Sequence, residues 1–200
     1  MERPILFNTA MVKAILEDRK TNTRRVINVN KVYDFQGWLT ATTGNQKNVG
    51  SAIFKLGCSC IYIKPPCQVG DTLWVRETFG KDSYGKYHYR AEYPEHDCEP
   101  YPIWHPSIHM PREAARLFLK VKDIKVERLQ EITPENSIKE GLDVCISCIR
   151  HGGCHLPDMC NYLPQTMQVL WDDIYSNRDY SWEQNPWVWV ISFEVAKNER

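Results

Sequence analysis

Hydrophobic residues recur along this chain with two different periods, and the changes of period predict its elements. Met11, Val12, Ile15 and Leu16 fall at helical spacing behind Asn8 or Thr9, either of which can cap a first turn, so a short helix is expected before residue 19. From residue 28 to 66 the pattern weakens into polar and glycine-containing stretches, which predicts loop or insertion with a short strand at Ile61 to Ile63. Val69-Gly70-Asp71 reads as a turn into a strand over 72–79, where Leu73, Val75 and Phe79 share one face. Glu77 falls on that same inward face. Tyr87 to Tyr93 predicts a partner strand, and the prolines between Pro94 and Pro111 exclude regular structure throughout that stretch.

Leu117, Leu119 and Val121 alternate in one phase and Ile124 and Val126 in the other, so one strand is expected to shift register near Asp123 by a bulge or sharp bend. Thr133-Pro134-Glu135 opens a helix with a cap and a first-turn proline, turns Ile138 inward, carries Glu140 at its end and stops at Gly141. Met167, Leu170, Trp171, Ile174 and Tyr175 mark one face of a further helix. The final apolar run, Trp187 to Val195, predicts a strand whose first half is apolar on both faces and therefore central. These elements sum to one α+β domain over residues 1–200, with a bent, barrel-like mixed sheet, flanking helices, loop insertions near 30–66 and a cysteine-rich insertion at 145–160.

Composition narrows the class. With 42% hydrophobic and 25% charged residues and no long apolar run, the chain matches a globular protein without a membrane span. Its N-terminus turns polar at Asn8 and lacks the apolar core and cleavage site of a signal peptide, so a cytoplasmic location is expected. The 25 basic residues balance 25 acidic ones, which argues against a general polyanion binder and makes any nucleic-acid contact local.

Against that neutral background, Arg19-Lys20-Thr21-Asn22-Thr23-Arg24-Arg25 packs four cations and two hydroxyls into seven residues. Such a cluster is either a solvated helix end or a site that meets an anion, with a hydroxyl available as nucleophile or phosphate ligand.

This run, together with a glycine-like Asp18 before it, Arg3-Pro4-Ile5-Leu6-Phe7-Asn8, Gly70-Asp71-Thr72-Leu73-Trp74-Val75-Arg76-Glu77, Ser107-Ile108-His109-Met110-Pro111, Ile138-Lys139-Glu140-Gly141 and Asn185-Pro186-Trp187-Val188-Trp189-Val190, resembles the ASCH domain family. That family is a branch of the PUA-like superfamily, and the resemblance is strongest to its bacteriophage and prophage members. It covers nearly the whole chain apart from the loops near 30–66 and 145–160. It implies a PUA-like barrel with a cleft that binds RNA or a modified nucleoside or base. One small bacterial member removes acetyl groups from N4-acetylcytidine with a lysine, a threonine and a glutamate, and motif order places these on Lys20, Thr23 and Glu140. This chain is about twice as long, and Arg25 with the residues after it departs from that enzyme's pattern.

The chemistry is coherent on its own terms. A threonine hydroxyl needs a neighbour to take its proton, and a lysine desolvated or crowded by cations has the lowered pKa for that task. Lys20 is then the base and Thr23 the nucleophile, while Glu140 either carries a proton to the leaving amine or holds Lys20 in place. Two readings follow: a binding module for RNA or a modified nucleoside in a basic cleft, or a hydrolase acting on N4-acylated cytidines or on RNA. Arg19, Arg24, Arg25, Trp74, Arg76, Glu77, Ser107 and His109 are candidate ligand contacts, with Glu77 seeking a partner that Lys20 or Arg24 can supply. Arg76 and Glu77 are equally read as a pair across a barrel end, Trp74, Tyr89 and Trp104 as core rather than stacking platforms, and His105 and His109 as surface.

Of the eight cysteines, Cys145, Cys148, Cys154 and Cys160 fall within sixteen residues that also hold His151 and His155. Four thiolates at that spacing satisfy a structural tetrahedral zinc, and a reduced cysteine-rich loop is the plain alternative. Cys58, Cys60 and Cys67 make a weaker set with only Cys98 as a fourth ligand. No organic cofactor is implied.

Overall fold

The computed structural model describes residues 1–40, 48–94, 102–142, 163–175 and 179–196. Their strands are β1 (Glu2–Leu6), β2 (Asn22–Val26), β3 (Asp34–Trp38), β4 (Ala52–Leu56), β5 (Ser59–Ile63), β6 (Thr72–Arg76), β7 (Phe79–Lys81), β8 (Tyr87–Tyr89), β9 (Phe118–Arg128) and β10 (Trp187–Val195). The helices are α1 (Thr9–Leu16), α2 (Pro134–Lys139) and α3 (Leu163–Tyr175). The fold is mixed α+β, and no helix among the described residues is long and apolar enough to cross a membrane.

Asn8 caps α1, its side chain accepting the Met11 N–H at 2.8 Å, and Val12, Ala14 and Ile15 turn inward. The chain leaves the helix through Asp18 at φ +56°, a left-handed conformation that aspartate tolerates better than most residues. The glycine-like quality of that position is therefore conformational.

Five strands form the main sheet in the order β1-β6-β9-β10-β2, with β1 and β6 parallel and the other pairs antiparallel. β10 is central, as its two-faced apolar pattern predicts. Val188 and Val190 pack on one side with Leu129, Ile132, Met167 and Trp171, while Trp189, Ile191 and Phe193 pack on the other with Phe7, Val75 and Leu119. The expected register shift lies beside Asp123: Ser192 pairs with Asp123 and Phe193 with Val121, leaving Lys122 as the extra residue of a bulge.

Bulge and twist together curl this sheet. In a flat five-stranded sheet the outer strands would lie roughly 19 Å apart. Here the Arg25 guanidinium of β2 donates to the Leu6 carbonyl of β1 at 2.6 Å and covers the Phe7 ring. No ladder joins β1 to β2 among the described residues, so the edges meet through side chains.

The stretch expected to be mostly loop holds instead a three-stranded antiparallel sheet, β3-β4-β5, of which only the last strand was legible. A bulge at Gln36, where Phe35 pairs with Phe54 and Gly37 with Ile53, breaks the alternation that would have announced β3. This sheet covers the inner core, placing Phe35 and Phe54 against Trp187 and Trp38 against Trp189.

The strand expected over 72–79 ends as β6 at Arg76, and Phe79 begins β7, which pairs with β8. Helix α2 has the predicted Thr133 cap, but its buried residue is Ser137, whose hydroxyl donates to the Thr133 carbonyl at 3.0 Å; Ile138 is only half-buried. In α3, Met167 and Trp171 make the core contact, whereas Leu170 and Ile174 remain exposed on the flank that borders a cleft.

Candidate functional site

The basic run is not a solvated helix end. Thr21 N–H donates to the Lys139 carbonyl at 2.8 Å and Lys20 bridges to Glu140, so the chain leaving α1 is bonded to the end of α2. Only 2% of Lys20 is exposed. Its ammonium donates to the Asn22 carbonyl at 2.8 Å, the Glu140 carbonyl at 2.9 Å and Glu140 Oε2 at 2.7 Å. These three acceptors account for its three protons.

The other carboxylate oxygen, Glu140 Oε1, accepts from Arg24 Nη1 at 2.9 Å, and Arg24 Nη2 reaches Glu127 at 3.2 Å. Two cations therefore meet two carboxylates in a cluster without net charge, buried except at Glu127, which is partly exposed. Arg19 pairs with Glu17 and donates to the Gly141 carbonyl. Burial is the main cause that pushes the Lys20 amine below the ordinary lysine range; Glu140 opposes the shift, and Arg25 and Arg24 reinforce it.

Gly141 makes the junction possible. Its φ is +93°, and a Cβ there would lie 2.7 Å from the Ala14 Cβ and 3.1 Å from the Lys20 Cβ. A side chain would force α1 and Lys20 away from Glu140.

Beside this cluster lies a cleft of about 120 Å³ between α1 and α3, floored by β2 and the end of α2. Thr23, Arg24, Arg25 and Glu140 reach it, but Lys20 sits behind Glu140 and does not line it. Thr23 is 2% exposed, and its hydroxyl makes no hydrogen bond among the described residues. Trp171 and Tyr175, stacked with ring centroids 4.5 Å apart, border it, but Trp171 is buried, so the open apolar surface belongs to Leu170, Ile174 and half-buried Tyr175. Sequence reasoning missed Glu127, which carried no signal, and placed Trp171 and Tyr175 on one helix face without assigning that face to a cleft.

The remaining candidates are placed elsewhere. Glu77 is buried, but its partner is Arg116, at 2.8 and 3.0 Å, and neither Lys20 nor Arg24. Burial pushes its carboxyl up and Arg116 opposes the shift. Arg76 pairs neither with Glu77 nor across a barrel end: it covers the Trp74 ring and donates to the Ile108 carbonyl, which ties it to the Ser107–His109 turn. Ser107 is half-buried, His109 is exposed, and neither lines the cleft. Tyr89 lies under Arg116 and donates to the Ala114 carbonyl at 2.8 Å, a packing role, while Trp104 meets Tyr93 and Arg90. His105 is exposed and exchanges backbone bonds with Phe79.

Cys145, Cys148, Cys154 and Cys160, with His151 and His155, lie outside the described residues, as does Cys98. Cys58 and Cys60 are exposed thiols near the β4–β5 turn, and Cys67 is buried, its thiol pushed up to about 11 chiefly by burial. Among the described residues no three His, Cys, Asp or Glu side chains are grouped to hold a metal. No family model, curated protein or solved structure matches the chain.

Proposed function

We propose that the chain is an ASCH-type domain with a PUA-like barrel, in which the cleft beside β2 binds a modified nucleoside or a nucleotide unit of RNA. One observation carries this reading: a charge-balanced Lys20–Glu140–Arg24–Glu127 cluster, buried except at Glu127, lies beside a cleft that Thr23 and Glu140 line together with Leu170, Ile174 and Tyr175. The apolar side, with the Tyr175 ring, suits a base face, and the polar floor suits its exocyclic groups. Because Lys20 and Arg24 are neutralised internally, affinity in the cleft comes from stacking and hydrogen bonding more than from a positive field.

The hydrolase reading is favoured by Thr23, which lines the cleft and whose hydroxyl has no hydrogen-bond partner among the described residues. In it, Thr23 Oγ attacks the amide carbonyl of an N4-acylated cytidine and gives up its proton, the C–N bond breaks as the amine leaves with a proton, and water then hydrolyses the acyl ester left on Thr23. The three acceptors around Lys20 favour its ammonium, so a base role uses the neutral fraction that burial enlarges. Glu140, bonded to Lys20, is placed to pass that proton onward.

Incubation with N4-acetylcytidine and with single-stranded RNA, read by product release and by equilibrium binding, separates the two. Turnover by the wild type that falls at least about a hundredfold in Thr23→Val establishes the hydrolase. Binding without turnover leaves the binding module. Neither binding nor turnover of any of these ligands refutes both.

The cysteine-rich segment is proposed to hold one structural zinc on Cys145, Cys148, Cys154 and Cys160. Mass spectrometry of protein never exposed to chelator is expected to show about one equivalent, and less than about half an equivalent counts against an intact site.

A further inference from the structure

The curled sheet leaves a second, larger hollow of about 470 Å³ along the seam between β1 and β2. Four cations line it, Arg3, Arg25, Lys64 and Arg76, and no carboxylate does among the described residues. In a chain of zero formal net charge this is a pronounced local imbalance. Arg3 shares Asp71 with the Met1 ammonium. The other three have no carboxylate partner among the described residues: Arg25 donates to the Leu6 carbonyl, Arg76 donates to the Ile108 carbonyl, and Lys64 makes no hydrogen bond.

Two of these guanidinium groups are also incompletely satisfied. The Nε atoms of Arg3 and Arg76 are buried and find no hydrogen-bond acceptor among the described residues; Arg3 Nε comes within 3.4 Å of Asp71 Oδ2 without hydrogen-bond geometry. Buried donors without acceptors are uncommon in native proteins and call for a physical explanation. Cys67 in the wall adds no negative charge, because its thiol is pushed well above neutrality. Like charges around one hollow repel unless an anion lies between them, and forked guanidinium donors match the oxygens of a phosphate group better than those of a halide.

We propose that the β1–β2 seam is a phosphate site, which takes the phosphate ester of a nucleotide, free or within an RNA strand, on Arg25, Lys64 and Arg76. Arg25 lines both this seam and the cleft at Thr23, so a phosphate held here belongs to a ligand whose base end enters the cleft. That continuity rests on the nucleoside reading of the cleft, whereas the seam's preference for phosphate does not. The ligand class is thereby sharpened from nucleoside to phosphorylated nucleotide.

The test measures equilibrium binding of inorganic phosphate, cytidine, cytidine 5′-monophosphate and a short single-stranded RNA to the full chain, to Lys64→Gln and to Arg76→Gln. Lys64 is exposed, so its variant tests the site without disturbing the core. Saturable phosphate binding, weakened about tenfold in each variant, is expected. The monophosphate or the RNA is expected to bind at least about tenfold more tightly than cytidine, with cytidine binding unchanged in Lys64→Gln. No saturable phosphate binding, or phosphate binding equal in all three proteins, overturns the seam. Equal affinity for cytidine and its monophosphate overturns the nucleotide assignment and leaves the nucleoside reading of the cleft intact. Phosphate binding that depends on Lys64 and Arg76 without any cytidine binding sustains the seam as a site for free phosphate and sinks the reading of the cleft.

Discussion

Lys20 is a charged residue that the fold treats as core. Its side chain is fully enclosed, with one carboxylate and two carbonyls around the ammonium. Replacing it by methionine keeps the volume but leaves Glu140 with Arg24 as its remaining partner, and is expected to destabilise the protein by about 3 kcal/mol in chemical denaturation. The pH dependence has a definite sign. Burial lowers the native pKa, so between that value and the ordinary lysine value of about 10.4 the unfolded chain binds more protons than the native one. Within that window this group makes stability rise with pH, and below the window its burial cost is present in full. Subtracting the Lys20→Met profile from the wild-type profile is expected to isolate that upward slope, and a difference that is flat or falling as pH approaches about 10.4 from below contradicts it. From sequence the identities of Lys20, Thr23 and Glu140 were legible through motif order. That the carboxylate stands between lysine and cleft was not, because a contact across 120 positions leaves no local periodicity.

Elements explain why this constellation assembles. Helix α1 delivers the basic run, α2 delivers Glu140, and the two meet at Gly141, where the left-handed turn and the near contact with Ala14 exclude a side chain. Gly141→Ala is expected to cost about 1–3 kcal/mol in thermal or chemical unfolding and to weaken nucleoside binding by displacing Glu140, while leaving the secondary structure seen by circular dichroism unchanged. Full wild-type stability in that variant would show that the junction is looser than its geometry. Helix α1, α2 with its cap, the β9 bulge and the central β10 were legible because each is announced by a cap, a proline or a strict period. Strands β1, β2, β3 and β4 were not: β2 is polar at every position but Val26 and β3 carries a bulge beside Gly37, so neither shows an alternation that stands out from its surroundings.

At the scale of the whole molecule, a curled sheet with meeting but unpaired edges divides the charge unevenly. The cleft side is balanced by Glu140 and Glu127, and the seam side is left cationic. The equality of acidic and basic residues pointed to local rather than general anion contact, but a sum over the chain cannot say where the surplus lies.

The edges of β1 and β2, which no further ladder covers among the described residues, have a further consequence, for the company that these molecules keep in solution. A bare strand edge is a template on which another copy can add its own strand, and charged residues along it are a common safeguard. Arg3, Arg25 and Lys64 stand beside these edges, so the approach of two seams sets cation against cation. Inorganic polyphosphate would cancel that repulsion and is expected to promote self-association, seen as a rise in light scattering that sodium chloride at matched ionic strength does not produce. Unchanged scattering in polyphosphate would show that the edges are guarded by shape rather than by charge.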